Sequence, residues 1–286
     1  MIRLDAATVL LQWAVGGMVF CWVTTRRREV GIGYGWLLRA TYLVVAAGGI
    51  AAGSFIGPVP ARDVAAALVV VSIAVGLVVS VVRRRAGVAG EHARQEERSA
   101  RVTAMTGIDR VALDRDLKVA EFPPVLDLIP VLFGVLGLMA AGIDAAGDGS
   151  TLVSLLRILA GAAFLGAVTD AMLLGHWYLV QPGLPRAPLL ELVRWLAIIW
   201  PFEVVALLLP TGMFSVLSGT IDDGYNGTLG WYWVVSALGT IVLCVVTRAA
   251  LRERYYSAVM AATGLLYLAI LTAFSTDLVA RALLAG

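Results

Sequence analysis

Apolar residues in this chain come in long unbroken runs, not in alternation and not as one stripe per helical turn. Eight runs stand out, at 7–25, 35–57, 64–82, 125–144, 152–180, 188–210, 229–247 and 255–283. A bilayer core takes about 20 apolar residues of helix, whereas a membrane strand is about 9–11 residues long and alternates. The pattern therefore predicts an all-α, polytopic membrane bundle: a single transmembrane domain over 1–286 with eight spans.

Polar positions between the runs predict its orientation. Arg26, Arg27 and Arg28 close the first run, Arg83, Arg84 and Arg85 close the third, and Arg248, Arg252 and Arg254 lie between the last two. One side collects 16 basic residues in this way, while the other holds Arg3, Arg62 and Arg281. Cytoplasmic loops are the ones enriched in arginine and lysine. Both termini are thus expected on the extracytoplasmic side.

Two connections are long. Residues 83–124 form a charged cytoplasmic loop with nine basic and seven acidic residues. Thr106 and Asp109 there have capping-box spacing ahead of a short helical stretch, 108–122, which could lie on the bilayer surface or stay solvated. Residues 211–228 carry Asp222-Asp223-Gly224 and Asn226-Gly227, which mark turns and offer too few oxygens for calcium.

Composition narrows the function classes. The chain of 286 residues is 60% hydrophobic and 15% charged, with a mean hydropathy of +0.87. Soluble domains carry about 45–50% apolar and about 25% charged residues. Soluble enzymes, disordered proteins and nucleic-acid binders are excluded, and a net charge of +2 implies no polyanionic partner. Lys118 is the one lysine, so no membrane helix can form a lysine Schiff base. Cys21 and Cys244 sit in separate apolar runs and read as small apolar fillers. The first run ends in arginines without a small-residue cleavage site, so it is expected to remain as a membrane helix. An arginine-rich, lysine-poor chain points to a bacterial cytoplasmic membrane.

Candidate chemistry lies in the few ionisable groups within the runs, because burying each in lipid costs about 2.5–3.5 kcal/mol. Asp170, Glu203 and Asp277 are the acids at depth. Asp170 borders a face of the fifth run formed by Ala162, Gly166, Thr169 and His176. Glu203 follows Pro201, which leaves an upstream carbonyl without its helical donor. Asp170, His176 and Glu203 are expected to face a protein-lined interior and hold a proton or ligand. His176, Tyr178, Arg186 and Arg194 could offer donors to a quinone headgroup near the interface. Asp277 and Arg281, four residues apart, predict a structural ion pair that snorkels to the surface. Glu191 with Arg194, three apart, predicts a surface pair, and Arg157 is expected to find Asp144 and Asp148.

Metal is not expected, because no histidine, cysteine and acid spacing fits zinc or di-iron. Haem held by two imidazoles within this chain is excluded, as His176 alone lies in a run. The leading expectation is a cofactor-free membrane subunit of a larger complex, of a respiratory, quinone- or proton-handling kind. Its partners are the bilayer, other subunits or a second copy, and its small-molecule ligand a quinone or lipid. A secondary transporter or channel is the alternative, weakened by the lack of an internal repeat. A lipid-modifying enzyme comes third, resting on His176.

Overall fold

A computed structural model describes residues 5–106, 120–181 and 183–285. It contains α1 (Ala6–Thr25), α2 (Ile32–Ile56), α3 (Pro60–Val82), α4 (Ala89–Thr106), α5 (Leu128–Ala146), α6 (Thr151–Val180), α7 (Ala187–Leu208), α8 (Gly212–Leu217), α9 (Thr228–Arg252) and α10 (Tyr256–Leu284). No strand occurs among the described residues. Seven stretches are long and apolar enough to cross a membrane: α1, α2, α3, Pro124–Ala146, α6, α9 and α10. The chain is a helical membrane bundle. The remaining run of the sequence also folds as one helix, α7, whose 22 residues include Glu191, Arg194 and Glu203 and so fall short in apolarity.

Helix ends lie outside several of the apolar runs, because capping and turn chemistry set them, not hydropathy. Asp5 caps α1 by accepting from the amides of Ala7 and Thr8 at 3.1 and 3.3 Å. Pro60 opens α3 at a position where its missing amide hydrogen costs nothing. Ser150 caps α6. Asp223 anchors the start of α9: its carboxylate accepts from the amides of Tyr225, Gly227, Leu229 and Gly230. Desolvation opposes the charge there, but those four amides outweigh it and hold the carboxyl below its ordinary range. The turn expected at 222–227 is therefore a helix-start anchor.

At the centre stand α1 and α6. About 67% of the α1 span and 56% of the α6 span are buried, against 33% for α2, α3, α9 and α10. The two helices cross with backbones in contact. A Cβ on Gly166 would fall 2.1 Å from the Gly16 carbonyl carbon, and one on Gly16 would fall 1.7 Å from the Ala162 oxygen. Small residues at such a crossing let membrane helices gain packing that lipid cannot supply. Gly17 does the same for a side chain, since the Tyr42 ring lies where its Cβ would be.

The 83–124 region is not a featureless loop. Helix α4 occupies its first half and docks on neighbouring turns: the Gly90 amide donates to the Arg28 carbonyl, and Arg94 donates to the Glu29 carbonyl. The capping-box stretch expected after Thr106 lies mostly outside the described residues. At the opposite end of the bundle, Arg62 gathers Asp5, Asp63, the Thr8 hydroxyl and the Gly57 carbonyl.

Candidate functional site

Apart from the Arg62 cluster, three groups of buried charge among the described residues differ in how completely they are satisfied. The first is where α1, α6, α7 and α10 converge, towards the end that carries the chain termini. It comprises Gln12, Glu203, Asp277 and Arg281, each fully buried. Arg281 Nε donates to Asp277 Oδ2 at 2.7 Å, and Gln12 Nε2 donates to the Ile158 carbonyl at 2.6 Å. Gly161 leaves the space these groups occupy. A Cβ there would lie 2.8 Å from Asp277 Oδ1 and 3.0 Å from both Arg281 Nη2 and Gln12 Nε2. The Glu203 carboxyl lies beside that of Asp277, with the Arg281 and Arg157 guanidiniums near enough to act on it.

Many polar atoms of this group have no partner. Both Glu203 oxygens, Asp277 Oδ1, Gln12 Oε1 and both terminal nitrogens of Arg281 are buried without a hydrogen bond. Buried polar atoms are nearly always satisfied, so a cluster of six in one place calls for a ligand, a proton or water. Arg281 also lines a cavity of about 330 Å³ with Asp5, Thr8, Asp144 and Ile158. The cavity has a mixed polar and apolar lining and is large enough for several waters. It approaches the group from the terminal end, while the side chains of the group itself have no exposure.

The second group surrounds Asp170, roughly 13 Å further along α6 at 1.5 Å per residue. Tyr42 donates its hydroxyl to Asp170 Oδ1, and Tyr34 donates to the Asp170 carbonyl at 3.2 Å. Asp170 Oδ2 is buried without a partner. Next to it, Trp13 Nε1 donates to the Thr169 hydroxyl at 2.9 Å. No arginine pairs with Asp170 among the described residues.

The third group, at the arginine-rich end, is fully paired. Arg39 forms a two-pronged bond with Asp127, Nε to Oδ1 at 2.8 Å and Nη2 to Oδ2 at 2.7 Å, with both residues buried. Thr25 donates to the same carboxylate at 3.3 Å. The Arg39 guanidinium lies 4.1 Å from the centre of the Phe122 ring, and Trp36 donates to Ser80 beside it.

Expected site residues thus separate. Asp170 and Glu203 face the protein interior, as does the Asp277–Arg281 pair. That pair does not snorkel: neither side chain has any exposure, because α1 and α6 cover it. His176 departs from the interior expectation. It is exposed on the outside of the bundle, where Nδ1 lies 3.1 Å from the Tyr267 hydroxyl. Its helical position lies about 120° around α6 from that of Asp170. The four residues suggested for a quinone headgroup are committed separately. Tyr178 donates to the Pro185 carbonyl. Arg186 donates to the carbonyls of Leu251, Arg254 and Tyr255, which end α9. Arg194 is exposed beside Arg248 and Arg252.

Two expected pairings are replaced. Glu191 does not pair with Arg194; Arg26 and Arg27 hold it at 2.6 and 2.7 Å, because the turn after α1 lies over the start of α7. Arg157 donates not to the Asp144–Asp148 loop but to the carbonyls of Ala206 and Leu209, where α7 ends. Sequence reasoning missed Gln12, Tyr42, Arg39 and Asp127. A glutamine in mid-run is a signal equal to an acid, and Arg39 with Asp127 both lie inside apolar runs. Among the described residues no group of histidine, cysteine and acid could hold a metal. Comparison with known protein families, with characterised proteins and with solved structures found no match for this chain.

Proposed function

We propose that this chain is a proton-handling integral membrane protein, serving as a cofactor-free membrane part of a larger assembly in a bacterial cytoplasmic membrane. In this reading α7 is an eighth span. Its charged residues do not oppose that: Glu203 is buried in the bundle, and Glu191 is neutralised by two arginines near the helix start. Eight spans and the arginine asymmetry then put both termini on the extracytoplasmic side.

One observation carries the proposal: the Glu203 carboxyl, neither of whose oxygens has a partner, lies beside the Asp277 carboxyl, which keeps one oxygen free, next to Arg281 and close to a cavity at the terminal end. Two adjacent carboxyls can hold one proton between them and titrate as a pair. A guanidinium beside them balances the remaining charge. Water in the cavity would deliver the proton to Arg281's neighbourhood, and Glu203 would bind it behind Asp277.

Infrared difference spectroscopy of the purified protein through a pH titration tests this. A protonated-carboxyl band that appears with acidification and is lost in Glu203→Gln is the expected result. A spectrum without such a band at any pH, or one unchanged by the substitution, refutes it. The cavity also favours a second reading, a proton-coupled transporter. Native purification separates the two: companion subunits support the assembly, and a lone or self-associated chain supports transport.

A further inference from the structure

The arginine-rich end holds a second feature that the interior groups do not use. A groove of about 580 Å³ runs between α7 and α9, lined by Arg27, Arg194, Arg248 and Arg252 together with Glu191, Leu190, Trp195 and Ile198. The one acid is already taken, bonded by Arg26 and Arg27. Arg194, Arg248 and Arg252 are exposed and have no acidic partner among the described residues. Three unpaired guanidiniums in one concave site form a strongly positive rim, and arginine's planar fork suits the oxygens of a phosphate.

Below this rim the groove turns apolar. Along α7, Trp195 and Ile198 are exposed, and Phe202 and Val205 continue the same outward surface. Along α9, moving away from Arg248, the exposed residues are Val245, Val242 and Leu238. A soluble anion would use the arginines alone and would not touch the apolar side chains Trp195 and Ile198 that line the same groove. A phospholipid uses both: phosphate at the rim, acyl chains down the two helices. Arginine clusters at the cytoplasmic ends of membrane helices are where anionic headgroups settle.

We infer that the α7–α9 groove binds an anionic glycerophospholipid, its phosphate held by Arg194, Arg248 and Arg252 and its acyl chains lying along Ile198 and Val245. The site is separate from the carboxyl cluster and stands whether or not that cluster handles protons.

Native mass spectrometry of the full chain released from nanodiscs of mixed phosphatidylcholine and phosphatidylglycerol tests the site. The protein should retain phosphatidylglycerol in preference to phosphatidylcholine. Each single substitution, Arg194→Gln, Arg248→Gln or Arg252→Gln, should lower that preference by about fivefold, the factor for one surface arginine. The double substitution Arg84→Gln with Arg85→Gln, which removes one charge more than each groove variant but lies outside the groove, should leave it unchanged. Equal losses from the groove and control variants would reduce the effect to general surface charge and overturn the site. Displacement of the lipid by millimolar inorganic phosphate would overturn the lipid assignment in favour of a soluble anion. Wild-type retention in all three single variants would overturn both.

Discussion

Two buried clusters of charge in one bundle have been solved in opposite ways. At the arginine-rich end, Arg39 and Asp127 meet as two planar groups with two bonds, and Thr25 and Phe122 complete their shell. At the terminal end, Arg281 touches Asp277 through one nitrogen, while Glu203 has no hydrogen bond at all. A paired and saturated cluster holds helices together; an unsaturated one stores capacity to bind. The contrast teaches that burial alone does not mark function in a membrane interior.

Breaking the paired cluster should give the largest loss of stability. Arg39→Leu or Asp127→Leu leaves one charge buried alone, and thermal unfolding in detergent should show a loss of about 3–5 kcal/mol. The double variant should recover most of it, since an apolar pair of similar volume replaces the ions. Equal losses in single and double variants would show that the pair contributes through packing. Next comes the helix crossing beside the unsaturated cluster. Gly166→Ala forces α1 and α6 apart and should cost about 1–3 kcal/mol.

Tyr42→Phe probes the intermediate case. It removes the donor to Asp170 and should destabilise by about 1–3 kcal/mol, through the unsatisfied carboxyl it leaves. Glu203→Gln should be the opposite of Asp127→Leu: neutral, or stabilising by about 1 kcal/mol, because it removes a charge that has no bonded partner. A large loss of stability there would mean that Glu203 is structural, and the contrast between the clusters would collapse.

The smallest effect belongs to a carboxyl in the loop before α9. Asp223 is held below its unfolded-state value by the four amides at the start of α9. Its contribution is therefore complete above the unfolded carboxyl's titration range and is lost as pH falls through the lower, folded value. Unfolding midpoints measured between about pH 5 and pH 2 should fall less steeply in Asp223→Asn than in the parent. Parallel curves would show that the amides do not distinguish charged from neutral oxygen.

Much of this arrangement was legible beforehand, for physical reasons. Long apolar runs dictate membrane helices because lipid offers no partner to a free backbone group. Asp170, Glu203 and Asp277 stood out because an acid in such a run has to be enclosed by protein. The rest was hidden in pairwise geometry. Arg39 and Asp127 are 88 residues apart, and nothing local announces their bond. Arg157 and Glu191 found partners on other helices where sequence distance favoured near neighbours. His176 fell on the outer face because its position about seven turns along α6 depends on how the helix is rotated, which only packing decides.

The contact between Gly16 and the Ala162–Gly166 segment has a consequence for the two unsaturated groups it lies between. At this crossing there is no volume between α1 and α6 for a methyl group, and hence none for a water molecule or a sodium ion. The backbone seal keeps the Glu203 and Asp170 groups apart, so each is served from its own end of the bundle. Two glycines and an alanine make that division by leaving nothing between them.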